Sequence, residues 1–200
     1  MRRNRLLIGV TSLLFLLSGC IKLDVDMKVK SNDKVDGTAV VAFSEQILTL
    51  TGQSKKDFLK EMKTDTADIP KGAKVETYDK DGYVGQKMTF KDLPASEFGK
   101  AMDSASTGPA NDAGDMKLVK EGGKWKFSGT MDLVGEGTTK TDPKNKEADA
   151  LMKGFVVKIK VTFPGKVVKA DKSAKIKGKT VSWEPKFGQK VEMLAIAETH

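Results

Sequence analysis

The sequence predicts a single α+β domain: a curved, mostly antiparallel sheet of short hairpin-connected strands, with two or three helices inserted between them. Two segments, residues 21–30 and 155–163, alternate apolar and mostly charged side chains with the two-residue period of a half-buried strand. Short turn sequences rich in Gly, Asp, Asn and Pro separate further strand-like segments. Consecutive hairpins with separate helices are typical of the α+β class.

The N-terminal segment, residues 1–19, has the features of a lipoprotein signal peptide. Arginines at positions 2, 3 and 5 precede an apolar run over residues 6–17 that is short for a membrane-spanning helix. The run ends in Leu17-Ser18-Gly19-Cys20, a lipobox, which predicts cleavage between Gly19 and Cys20 and a diacylglyceryl group on the Cys20 thiol. An uncleaved anchor helix and an ordinary secretory signal are the alternatives. The lipobox predicts a protein anchored by lipid to the extracytoplasmic face of the cell membrane.

Composition and charge narrow the class of protein further. Cys20 is the only cysteine, so the exported domain over residues 20–200 folds without a disulfide. The net charge is +8, and residues 153–190 hold eleven lysines against Asp171 and Glu184. Such a segment suits anionic lipid headgroups or an acidic partner, whereas export excludes nucleic acid. The simpler interpretation is that these lysines cover the solvated faces of strands.

The first part of the chain reads as a hairpin followed by two short helices. The strand over 21–30 begins directly after Cys20, so the folded body is expected close to the lipid surface, and residues 35–43 return as its partner. Ser44 and Ser54 are suited to cap the two helices. Asp24 and Asp26 share the solvent face of the first strand, where flanking lysines favour ordinary surface charges.

The middle of the chain contains two more predicted hairpins and a third helix. Residues 74–78 and 83–90 flank the turn Asp79-Lys80-Asp81-Gly82, which lacks both outer ligands of a calcium loop and is interpreted as a turn only. Pro94 suits the first turn of the helix, which carries Phe98 and Met102 on its buried side. A second hairpin is predicted over 116–132, between polar loops at 104–115 and 135–149.

The last part of the chain is expected to continue as strands. Pro164-Gly165 turns the chain from the strand over 155–163 into residues 166–170, and residues 176–183 then close a meander. Residues 191–197 fit either a last strand or a short helix.

The sequence offers no set of residues that would support enzymatic catalysis. His200 is the only histidine and the last residue, which removes His-based triads and histidine metal sites, and Cys20 is consumed by lipid. No glycine-rich loop has the sequence of a phosphate-binding loop. We therefore expect neither an enzyme nor a cofactor; a Ser–Lys hydrolase is the alternative that would need a polar cleft.

A lipid pocket is one function that the composition suggests. Methionines are spread over strands and helices, and a curved sheet covered by helices can enclose an apolar cavity. The expected lining is apolar, with lysines at the rim; the residues are Phe127, Met131, Phe155, Ile159 and Val161, then Lys158, Lys160 and Lys166. The alternative is an adaptor that docks an envelope protein through the basic segment 153–190.

Several segments resemble one known family. Residues 20–27, Cys-Ile-Lys-Leu-Asp-Val-Asp-Met, followed by Gly-Thr-Ala-Val-Val-Ala-Phe at 37–43, are similar to the opening of the LppM family of actinobacterial lipoproteins. Residues 161–167, Val-Thr-Phe-Pro-Gly-Lys-Val, and 178–183, Gly-Lys-Thr-Val-Ser-Trp, resemble its second signature. The resemblance implies a non-enzymatic, envelope-anchored α+β domain that binds glycolipids of the phosphatidylinositol mannoside type.

Overall fold

The computed structural model of the protein describes residues 21–62, 69–105, 115–133, 155–186 and 188–200. The described chain forms strands for most of its length, with three short helices and one 3-10 turn. The predicted signal peptide, its predicted cleavage site at Gly19 and Cys20, the residue predicted to be lipidated, lie outside the described residues, as does most of the two predicted polar loops.

Seven strands form the larger sheet. Their bounds are β1 Ile21–Val29, β2 Lys34–Ser44, β3 Ala73–Lys80, β4 Tyr83–Pro94, β7 Val156–Thr162, β9 Lys175–Lys177 and β10 Thr180–Trp183. Their order across the sheet is β3-β4-β2-β1-β7-β10-β9. Neighbours run antiparallel except β1 and β7, which pair in parallel. This parallel pair lies at the centre of the sheet and joins its N-terminal half to its C-terminal half.

The remaining four strands form a smaller, wholly antiparallel sheet. Their bounds are β5 Asp115–Glu121, β6 Lys124–Asp132, β8 Val167–Ala170 and β11 Lys190–Glu198, in the order β5-β6-β11-β8. The longest pairing joins β6 to β11 over nine residue pairs, from Lys124↔Glu198 to Asp132↔Lys190. Residues 191–197, for which the sequence left strand and helix open, are therefore a strand.

The helices begin where the sequence predicts capping residues. They are α1 Glu45–Leu50, α2 Lys55–Glu61 and α3 Phe98–Ala105. The Ser44 hydroxyl accepts a hydrogen bond from the amide of Ile47, and the Ser54 hydroxyl accepts one from the amide of Asp57. Each bond satisfies an amide that the first helical turn leaves without a backbone partner. A 3-10 turn, Ala95–Glu97, follows Pro94 and leads into α3.

One core lies between the two sheets. Side chains of the inner faces alternate with exposed ones along β1, β6 and β7, as period-two burial requires. Phe127 of the smaller sheet lies with its ring centroid 5.3 Å from that of Trp183 in the larger sheet, and Phe98 of α3 lies 6.5 Å from Phe127. These aromatic contacts join both sheets and α3 in a single hydrophobic unit.

The structure confirms the α+β class, the mostly antiparallel pairing and the single domain. The meander expected from 155 to 183 is wrong in one respect, because β8 leaves the larger sheet and pairs with β11 of the smaller one. Asp171 gives the physical reason: its amide donates to the Leu194 carbonyl, and its carboxylate accepts from the Leu194 amide. These two bonds extend the pairing of β8 with β11 by one residue.

Candidate functional site

The parallel pairing of β1 with β7 brings two charged rows together on the outer face of the larger sheet, the face turned away from the core. Asp24 lies beside Lys158, and Asp26 lies beside Lys160. Both strands alternate with the same period, so their charged positions fall on the same face in this register. Two carboxylates and two ammonium groups therefore form a compact cluster that neither strand contains by itself.

The next strand, β10, extends this cluster sideways. Ser182 lies beside Lys160 in the antiparallel register of β10 with β7, and Glu184 follows directly after β10. Together these residues line an open groove of about 250 Å³, and Ile159 and Trp183, whose side chains are buried in the core on the other face, also border it. We call this feature the outer groove; its charged and polar residues are Asp24, Asp26, Lys158, Lys160, Ser182 and Glu184.

Three charges of the outer groove, those of Asp26, Lys160 and Glu184, are in ion pairs but remain accessible to solvent. Lys160 Nζ lies 2.5 Å from Asp26 Oδ2, and the two side chains are 47% and 50% exposed. Lys175 Nζ lies 2.9 Å from Glu184 Oε2; the hydrogen bond from Lys175, with a smaller contribution from Lys158, holds the pKa of Glu184 below its usual value. Exposed pairs of this kind are worth about 0–1 kcal/mol each, so a ligand can replace them at low cost.

This arrangement suits a ligand with many hydroxyl groups. Carboxylates accept hydrogen bonds only, ammonium groups donate only, and the Ser182 hydroxyl does both. Acceptors on β1, donors on β7 and the hydroxyl of Ser182 on β10 follow one another across the outer groove, which suits the hydroxyl groups of a polyol or sugar. At about 250 Å³ the groove is smaller than the roughly 300–1,000 Å³ of typical small-molecule sites, a size that favours a headgroup over acyl chains.

The apolar residues predicted to line a lipid pocket lie in the core between the sheets. Phe127 and Met131 on β6, and Ile159 and Val161 on β7, are all 0% exposed, and Phe155 is half-buried just before β7. These side chains do lie close together, but inside the core that the inner faces of the two sheets enclose. An apolar pocket formed by these side chains would require the two sheets to separate, and it stays a prediction.

The predicted lysines do not share that face. Lys158 and Lys160 point outward from β7, into the outer groove, while Lys166 is exposed in the turn that precedes β8. Residues of opposite parity on one strand point to opposite faces, so lysines and apolar side chains of β7 cannot line one cavity in the folded sheet. Lys158 and Lys160 are therefore the predicted residues that the structure brings into a candidate site.

Sequence reasoning missed four residues of the outer groove. Asp24 and Asp26 were interpreted as ordinary surface charges, and Ser182 and Glu184 had no assigned role. The available signal was that residues 22–28 and 156–162 carry charged residues with the same period. Their lateral pairing, however, joins positions 134 residues apart, and no local pattern specifies it.

The Asp79–Gly82 segment forms the predicted turn between β3 and β4. Asp79 Oδ1 lies 2.9 Å from Lys55 Nζ, and Asp81 has a positive φ of 57°, which the turn requires. Among the described residues, no three His, Cys, Asp or Glu side chains are grouped as metal ligands would be. Likewise, none of the described helices is long and apolar enough to cross a bilayer.

The comparisons with known proteins identify the family. A family model described as the LppM domain matches residues 22–199. This chain belongs to the LppM family. The NMR structure of the folded domain of LppM from Mycobacterium tuberculosis is similar, with a TM-score of 0.67, 22% sequence identity and coverage of 99% of this chain and 95% of that one. No curated protein sequence gives a significant match. The LppM family is one of lipoproteins, which indicates a membrane-associated protein of the cell envelope.

Proposed function

We propose that this LppM domain is a non-enzymatic lipoprotein, anchored at the extracytoplasmic face of the membrane through Cys20, that binds the headgroup of a membrane glycolipid in the outer groove. The observation that carries the proposal is the register of β1 with β7, which sets Asp24 beside Lys158 and Asp26 beside Lys160. The family is an envelope family, and the groove offers the chemistry of a sugar-binding surface.

The position of the groove along β1 supports a membrane-borne ligand. The strand starts at Ile21, directly after the predicted lipidated residue. Strands rise about 3.3 Å per residue, so Asp24 lies roughly 10 Å and Asp26 roughly 17 Å from the start of β1. A glycan attached to a phospholipid of the same membrane extends over this range of heights. The acyl chains of such a ligand can stay in the bilayer.

The chemistry of the groove favours a sugar headgroup that carries a phosphate. Lys158 and Lys160 can donate to phosphate oxygens, whereas Asp24 and Asp26 accept from sugar hydroxyls. A phosphatidylinositol mannoside combines both groups in one headgroup. The carboxylates of Asp24 and Asp26 argue against a bare phosphate as the preferred ligand, because they would repel it and find no hydroxyl groups from which to accept hydrogen bonds.

Binding of a deacylated headgroup to the anchored protein tests the proposal. The full-length protein in phosphatidylcholine nanodiscs is titrated with glycerophosphoinositol dimannoside and followed by calorimetry. We expect saturable binding that weakens at least tenfold in Asp26→Ala and in Lys158→Ala. Lys28→Ala is the matched control, since Lys28 is exposed and lies further along β1, outside the groove. No saturable binding, or equal loss in the control, would contradict the proposal.

Docking of an envelope protein through the basic segment 153–190 is the second candidate function. It draws support from the exposure of Lys166 and of the lysines on β8 and β9. Pull-down with the full-length protein separates the two candidates. Loss of a protein partner on charge reversal at Lys166 and Lys177, with headgroup binding intact, would favour docking.

A further inference from the structure

A second charged surface lies on the side of the fold formed by β8, β9 and the residues that connect them. Residues 166–179 contain six lysines and one acidic residue, Asp171. Four of these lysines, whose side chains are exposed, form a surface that we call the lysine edge. They are Lys166, Lys169, Lys172 and Lys177. β8 is the last strand of the smaller sheet and β9 the last strand of the larger one, so the lysine edge follows the open edges of both.

The lysine edge is not neutralised by the rest of the described protein. None of its four lysines forms an ion pair with a carboxylate of the described residues, whereas Lys175 between them is paired with Glu184. Asp171 is turned inward: its carboxylate accepts from the Trp183 indole and the Leu194 amide. The one acidic group in this stretch is therefore committed to holding the sheets together, and the positive charge stays open to a partner.

Exposed apolar side chains accompany these lysines. Val168 on β8 is 44% exposed and Ile176 on β9 is 54% exposed. An aliphatic side chain next to each group of lysines offers contact to the carbon chain that links successive anionic groups of a polymer. A partner bound through charge alone would not need these apolar contacts.

The registers place Lys177 of the lysine edge far from the predicted anchor. Lys177 lies beside Thr180, Thr180 beside Thr162, and Thr162 beside Lys28. Lys28 is seven residues from Ile21, which is about 23 Å along the strand. β9 is also three strands away from β1, or about 14 Å sideways at the usual strand spacing. Lys177 thus lies near the opposite end of the strands from Ile21, on an edge strand, whereas β1 is central.

This distance distinguishes between two anionic partners, the headgroups of the anchoring membrane and a polymer that extends beyond it. Charge interactions in water are largely screened beyond the Debye length, about 8 Å at physiological ionic strength. Headgroups of the membrane that holds Cys20 are therefore too far from Lys177 to be its partner. An anionic polymer that extends from the membrane or from the wall can reach the lysine edge.

We propose that the lysine edge binds a linear, phosphate-bearing polymer of the cell envelope. Its extended lysines contact successive phosphates, and Val168 and Ile176 contact the intervening carbon chain. The domain would then join the membrane, through its anchor, to a polymer on its far side. This inference does not rest on the outer groove, which shares none of the four lysines.

Capture of a defined polymer by the anchored protein tests the inference. The full-length protein is reconstituted in neutral phosphatidylcholine vesicles, mixed with fluorescent poly(glycerol phosphate) and recovered by flotation. We expect capture that weakens at least tenfold in Lys169→Glu/Lys172→Glu/Lys177→Glu. The slope of log affinity against log salt should fall by about 2, since each lost contact accounts for roughly 0.7 in single-stranded polyanions.

A variant of equal charge serves as the control. Lys56→Glu/Lys71→Glu/Lys80→Glu reverses three exposed lysines on α2 and around β3, at the other side of the larger sheet, and should leave capture within twofold. A Gln triple at the lysine edge gives a second variant if the Glu triple folds poorly. Absence of capture by the native protein, equal loss in the control, or displacement by inorganic phosphate at the same phosphate concentration would each overturn the inference.

Discussion

The indole nitrogen of Trp183 donates a hydrogen bond of 2.8 Å to Oδ2 of Asp171, and the same oxygen accepts a second bond of 2.8 Å from the Leu194 amide. Trp183 belongs to the larger sheet and Leu194 to the smaller one. One carboxylate oxygen therefore ties the two sheets together behind the outer groove. Because Trp183 stands between Ser182 and Glu184 of that groove, the bond also holds the chain segment that positions them.

Removing this carboxylate should destabilise the protein. Asp171→Ala leaves the Trp183 indole and the Leu194 amide without their acceptor, and each half-buried donor costs about 1–3 kcal/mol when unpaired. We expect a loss of about 3 kcal/mol in the free energy of unfolding, or roughly 6–12 °C in Tm at this chain length. Thermal unfolding followed by circular dichroism measures it. A loss below 1 °C would show that water replaces the carboxylate.

The same group predicts a dependence of stability on pH. Partial burial raises the pKa of Asp171, but hydrogen bonds from Ser173, Leu194 and Trp183 outweigh burial and hold the pKa below its usual 3.8. A lowered pKa adds stability that is present above the unfolded-state pKa and is lost as the pH falls through the folded-state value. The difference in the free energy of unfolding between the native protein and Asp171→Ala should therefore be at its maximum at pH 6 and decrease below about pH 4. Urea unfolding at both pH values tests this; a gap that widens in acid would contradict it.

The local parts of the fold were predictable because their causes are local. Alternation specified β1 and β7, and the hydroxyls of Ser44 and Ser54 specified two helix starts. The division into two sheets was not predictable in this way. It depends on the pairing of β11 with β6 and β8, which the two bonds between Asp171 and Leu194, 23 residues apart, extend, and a single sequence carries no sign of such a pairing.

Truncation of Phe127 tests whether this side chain belongs to the packed core or lines a ligand pocket. Phe127 is 0% exposed and contacts both Phe98 and Trp183. Phe127→Ala should cost about 3–5 kcal/mol, as large-to-small changes of buried aromatic residues do. Chemical unfolding of the full-length protein measures the loss. A change of less than 1 kcal/mol would instead indicate that Phe127 faces an open cavity, in line with the predicted apolar pocket.

Gly85 occupies a position on β4 at which the larger sheet has no room for a side chain. A Cβ added at Gly85 on β4 would lie 2.1 Å from the Val41 carbonyl oxygen and 2.5 Å from the Ala42 Cα, and both are backbone atoms. Gly85→Ala should therefore destabilise by at least about 1–3 kcal/mol, the range of overpacked sites. Gly99→Ala on α3 is the comparison variant, because its Cβ would lie 3.3 Å from the Met116 carbonyl oxygen, a tight contact that a shift of a few tenths of an ångström relieves, and alanine favours helix. Equal Tm values for both variants would contradict the close approach.

The candidate site was less predictable than the fold. Lys158 and Lys160 could be selected because they stand out on an otherwise apolar strand, yet their partners Asp24 and Asp26 could not. Long-range parallel pairing creates the outer groove, and shifting the register by one residue would place each aspartate beside an apolar position. The proposed function of these charges thus rests on the fold rather than on either segment alone.

Chemical-shift mapping of the headgroup complex tests the central claim most directly. Two-dimensional amide spectra of the isotope-labelled full-length protein in phosphatidylcholine nanodiscs are recorded with and without glycerophosphoinositol dimannoside. If the headgroup occupies the outer groove, the largest shifts will fall on residues 24–26, 158–160 and 182–184. Shifts confined to residues 166–179, or no shifts at saturating headgroup, would contradict a glycolipid site between β1 and β7.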